Sequence, residues 1–172
     1  MGTGLLLLVP LVAMQFTNEV NWSVPDFIIA GTLLFTTGTL LALVLKLKAD
    51  IIYRVAFIVA IGTTFLMVWA NLAVGLLGAR PNLGNLMHIG VVAVLFTGIY
   101  LSRFKSAGLE LAMFTTSFSL VLLAVIAVLA KMHQYLTSSV TEIIGVNLFF
   151  CALFIVSGLL FRFVALSQTT TK

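Results

Sequence analysis

Hydrophobic positions in this chain run in long blocks instead of alternating with polar ones. Five blocks contain no Asp, Glu, Lys or Arg: residues 27–45, 55–79, 86–102, 111–130 and 143–161, each 17 to 25 residues long. As a helix rising about 1.5 Å per residue, each matches a hydrocarbon core roughly 30 Å thick. With their flanks, the pattern predicts spans over about 27–46, 51–79, 86–102, 109–130 and 140–164, with a shorter apolar segment over about 4–16. The expected fold is all-α: one polytopic transmembrane helix bundle over residues 1–172, with five long spans plus a short N-terminal helix. That short segment carries Pro10 and has no basic flank. It reads as a retained helix that relies on local thinning of the bilayer, the alternative being a processed leader.

Composition agrees. The 172 residues are 62% hydrophobic and 8% charged, and mean hydropathy is +1.23. A soluble domain needs far more charge on its surface, so a globular soluble fold is excluded. The longest connections hold about a dozen residues, which leaves no soluble catalytic domain between spans. A net charge of +4 raises the question of nucleic acid, but the basic residues stand singly or in pairs between apolar runs. They read as topology signals, and no nucleic-acid partner is expected. The single cysteine, Cys151, lies inside the last span and has no partner for a disulfide within one chain.

Those basic residues are unevenly divided. Lys46, Lys48 and Arg54, then Arg103 and Lys105, then Arg162 and Lys172 fall on one side, against Arg80 and Lys131 on the other. The positive-inside rule puts the first group and the C-terminus in the cytoplasm, and residues 17–26, 80–85 and 131–142 outside.

Span ends carry capping chemistry. Asp26, Asp50 and Asn85 are placed to cap the helices that follow them, and Ser139 with Glu142 has capping-box spacing, so the last helix is expected to start near Val140. Trp22, Tyr53, Tyr100 and Tyr135 fall near the expected interfaces. Within the spans, small and polar residues at helical spacing form stripes: Gly31, Thr32, Thr36 and Thr39; Thr64, Asn71, Gly75 and Gly78; Asn147, Cys151 and Gly158; and the pair Thr115 and Ser119. Such faces pack helices, with Asn71 and Asn147 expected to bond across them; the competing use of Thr36, Thr64, Asn71 and Asn147 is a transport pathway. In the membrane core no stripe contains a carboxylate or base. Glu110, in a first turn near Arg103 and Lys105, complements the helix dipole.

On the outer side His88 and His133, with Glu19 or Asp26, have the donor types of a zinc or copper site, and two imidazoles alone could ligate haem. There is no His-x-x-x-His pair on one helix to fix such a site. No cofactor is therefore expected, and no residue is assigned a catalytic role.

The runs Asn18-Glu19-Val20-Asn21-Trp22 with Asp26-Phe27, Trp69-Ala70-Asn71-Leu72-Ala73-Val74-Gly75 and Asn85-Leu86-Met87 resemble a group of small uncharacterised bacterial inner-membrane proteins. The resemblance covers most of the chain from Met14 onward. It implies a bacterial cytoplasmic membrane and brings no activity or ligand; in that group an aromatic residue often replaces His88. The function expected is that of a scaffold, accessory subunit or small binding protein. Its partners would be the lipid bilayer and other membrane subunits or a second copy. The alternatives are a small oligomeric transporter or channel, and a haem- or metal-dependent redox protein.

Overall fold

In the computed structural model, residues 2–17, 21–73, 76–77, 83–130 and 139–170 are described. Among them are six α-helices: α1 (Gly2–Phe16), α2 (Val24–Lys46), α3 (Ile51–Ala73), α4 (Met87–Ser102), α5 (Ser106–Leu129) and α6 (Val140–Thr170). A 3₁₀ turn, Leu83–Leu86, leads into α4, and no strand occurs among the described residues. Five of the helices are long and apolar enough to cross a membrane, and Gly2–Phe16 is the short one. The chain is a multi-pass membrane protein. Large apolar side chains such as Phe35, Phe118, Phe149 and Leu159 are exposed on the helix surfaces, as contact with lipid requires.

Contacts group the chain into two compact units, Met1–Lys46 and Leu47–Lys172. In the first, α1 and α2 pack as a pair, with Leu7 against Gly31, where an added Cβ would lie 3.2 Å from Leu7 Cδ1. Ser23 opens α2. Its N–H and hydroxyl both donate to Asp26, at 2.8 and 2.6 Å. The helix thus begins at Val24, ahead of the expected 27, because Asp26 acts at the third helical position and reaches back to the cap.

In the second unit, α5 and α6 form the central pair, with α4 packed on α5 and α3 on α6. Lipid offers no hydrophobic drive for this association, so close approach and interhelical hydrogen bonds decide it. The buried face of α6 runs Ile143, Asn147, Phe150, Cys151, Phe154, Ser157, Gly158, Phe161 and Val164, a spacing of threes and fours that contains the predicted Asn147, Cys151 and Gly158 stripe. Small residues let backbones approach. An added Cβ on Gly98 of α4 would sit 2.7 Å from Ala112 Cβ of α5, and one on Gly158 of α6 would sit 3.2 Å from Met113 Cβ. Across the interfaces Ser157 donates to the Ala56 carbonyl at 2.9 Å, and Ser117 lies 2.9 Å from Cys151 Sγ.

Several boundaries move. The described part of α3 ends at Ala73, not 79; α5 begins at Ser106, not 109; and α6 continues to Thr170, past 164. The early start of α5 follows from a turn of three residues between helices, made possible by left-handed backbone at Arg103 (φ 48°) and Phe104 (φ 60°). Ser102 Oγ accepts the Phe104 N–H at 3.1 Å and donates to the Ile99 carbonyl at 2.6 Å, holding that turn.

Candidate functional site

The helices of the second unit alternate in direction, so its polar groups gather at two ends. At one end, α3 finishes and α4 starts. Asn71, in the last turn of α3, donates from Nδ2 to the Asn85 carbonyl at 3.0 Å, and its Oδ1 accepts the Leu76 N–H at 3.3 Å. Asn85 Oδ1 accepts the Leu77 N–H at 2.9 Å. The two side-chain amides therefore satisfy backbone groups where the α3 ladder has stopped, which a chain at membrane depth requires. Asn85 does not cap α4, as its position in the sequence suggested. Residue Leu86 precedes α4 without a side-chain cap, while the Asn85 amide is turned back to the preceding turn. Asn71 thus reaches from α3 to the turn that opens α4, and its other amide atom closes the end of its own helix.

His88, in the first turn of α4, is 2% exposed, and Asn147 of α6 is 1% exposed. The imidazole faces the Asn147 side chain and the Asn85 backbone carbonyl. Asn147 Nδ2 donates to the Ile143 carbonyl of its own helix at 2.8 Å. No hydrogen bond of good geometry reaches either ring nitrogen of His88 or Oδ1 of Asn147. A neutral imidazole offers one donor and one acceptor, so this pair holds hydrogen-bonding capacity between the starts of α4 and α6.

The other candidates stand apart. Glu19, His133, Arg80, Lys131, Tyr135, Gly75 and Gly78 lie outside the described residues. Asp26 belongs to the first unit, where its carboxylate serves Ser23. Among the described residues no group of three or more His, Cys, Asp or Glu side chains comes together. Thr36 is exposed on α2, and Thr64 donates to the Ala60 carbonyl of α3 at 2.8 Å. The pair Thr115 and Ser119 is not the buried one. Thr116 and Ser117 are buried, while Thr115 is exposed and donates to the Leu111 carbonyl at 2.9 Å. A hydroxyl in lipid can always serve its own helix, so its presence does not mark a face.

At the opposite end of the unit, four aromatic rings meet edge to face or tilted. Tyr53 lies 5.2 Å from Phe57 and 5.5 Å from Phe161, and Phe57 lies 5.0 Å from Phe161 and 6.3 Å from Phe104. The Tyr53 hydroxyl donates to the Phe104 carbonyl at 2.8 Å, tying α3 to the α4–α5 turn. Glu110 pairs with Arg162 at 3.7 Å, a partner from α6 instead of the nearby Arg103 or Lys105. Sequence reading missed this cluster, because single phenylalanines among 14 carry no signal in an apolar background. In comparison with known proteins, no family, no curated protein and no solved structure matches this chain.

Proposed function

We propose that this chain is a small membrane protein of the bacterial cytoplasmic membrane that works as a scaffold, accessory subunit or small binding protein through its helix faces. One observation carries the reading: among the described residues, most intramembrane hydroxyls and amides are spent on structure. The hydroxyls of Thr32, Thr39, Thr63, Thr64, Thr115 and Thr116 each donate to the carbonyl four residues back. Ser157 and Ser117 bond across helices, and Asn71 and Asn85 close backbone. Extraction in mild detergent followed by native mass determination tests it. The expected result is a stoichiometric complex with a larger membrane assembly or a second copy; a lone, monodisperse monomer overturns it. The end that carries Arg54, Arg103, Lys105 and Arg162 supports a cytoplasmic location for the α4–α5 turn and the C-terminus.

A second reading, a small oligomeric transporter or channel, draws on the unpartnered polar atoms of His88 and Asn147. Its test is flux through reconstituted Asn147→Leu. Loss of a measured flux with the fold intact supports transport, and unchanged flux removes Asn147 from a pathway. Asn71 is unsuited to that test because its amide holds backbone.

A further inference from the structure

The aromatic end of the second unit does more than close the bundle. Each cation there is a direct sequence neighbour of a ring in the cluster: Arg54 follows Tyr53, Arg103 and Lys105 flank Phe104, and Arg162 follows Phe161. The ring contacts and the Tyr53–Phe104 hydrogen bond hold three separate parts of the chain together, α3, the α4–α5 turn and α6. They thereby bring the backbone positions of the four cations to one end of the unit. The acids nearby are already used. Asp50 Oδ1 accepts the Ile52 N–H at 2.7 Å, and Glu110 pairs with Arg162. Among the described residues, Arg54, Arg103 and Lys105 have no carboxylate partner, and Arg54 Nε is buried without an acceptor.

We propose that this end is a binding site for the phosphodiester headgroup of an anionic phospholipid. Charge complementarity selects the phosphate, and guanidinium groups suit its oxygens. The neighbouring surface selects a lipid over a free phosphate. Tyr100, Leu101, Phe104 and Phe163 are exposed beside the cations, at 81%, 71%, 63% and 58%, and present apolar area to acyl chains and the interface. The turn is built to display these groups. Arg103 and Phe104 are both left-handed and exposed, and Gly108 allows the return of α5, where a Cβ would fall 2.7 Å from Ser102 Cβ.

Native mass spectrometry of the purified full chain in neutral detergent tests this, with dioleoyl phosphatidylglycerol and dioleoyl phosphatidylcholine as probes. The expected result is a preference of about tenfold or more for phosphatidylglycerol. The double variant R103Q/K105Q, altered at two exposed residues outside the helices, should lose about that preference with unchanged helical circular dichroism, and the charge-keeping R103K/K105R should retain it. Inorganic phosphate at millimolar concentration should leave the lipid bound. Equal affinity for the two lipids, a preference that survives R103Q/K105Q, or displacement by inorganic phosphate each overturns the proposal. Should R103Q/K105Q lose helicity, Arg103→Gln alone decides, a loss of several-fold supporting the site and no change refuting it.

Discussion

The two ends of the second unit solve the same problem, closing helix ends, with different chemistry. At the aromatic end the connection is a three-residue turn whose backbone bonds are met by Ser102 and Tyr53, and rings fill the space between helices. At the other end side-chain amides bond backbone beyond α3, where Asn71 and Asn85 stand in for lost helical partners, and a buried His88 faces Asn147. The first arrangement fixes geometry by packing, so volume changes damage it most. The second fixes geometry by hydrogen bonds, so removing an amide damages it most, except at Asn147, whose oxygen is already unmatched.

Gly108→Val should have the largest effect. Its side chain would fall within 2.8 Å of Ser102 backbone, and opening the turn costs about 3 kcal/mol, read as a lower thermal midpoint in detergent. Asn85→Ala adds no bulk and removes the acceptor of the buried Leu77 N–H, at about 2 kcal/mol. If Asn85→Ala were harmless and Gly108→Val severe, the amide end would owe its stability to packing as well, and the contrast would fail. Tyr53→Phe keeps the ring contacts and loses one hydrogen bond, for about 1 kcal/mol or less. Asn147→Leu sharpens the comparison most finely: its Oδ1 has no hydrogen bond of good geometry and its Nδ2 serves only its own helix, so stability should change by about 0.5 kcal/mol, against the larger loss expected at Asn85.

Much of this architecture is legible in the sequence, for reasons that differ by element. The long spans are visible because lipid tolerates no charge in the core, so their absence is a direct physical signal. Helix starts at Ser139–Glu142 and Asp50 were legible because capping is local. Glu142 N–H donates to Ser139 Oγ at 3.1 Å, as the spacing implied. The Asn147, Cys151 and Gly158 stripe was legible because three small or polar residues at helical spacing on one span have few other uses. The early end of α3 and the role of Asn85 were not, since an amide can serve the helix after it or the turn before it with the same sequence. The aromatic cluster was hidden for the opposite reason, since it joins residues up to 108 positions apart, from Tyr53 to Phe161, that look like any other apolar position.

The proposed function and the proposed lipid site both require α3 to α6 to cross a bilayer with the aromatic, cationic turn on the cytoplasmic face. The direct measurement places single cysteines at Lys105 and Ser139, both exposed, in a Cys151→Ala background, and labels intact cells with a membrane-impermeant maleimide. Ser139→Cys should react in intact cells and Lys105→Cys only after permeabilisation. The reverse order, or equal labelling of both sites before permeabilisation, would contradict the assigned crossing.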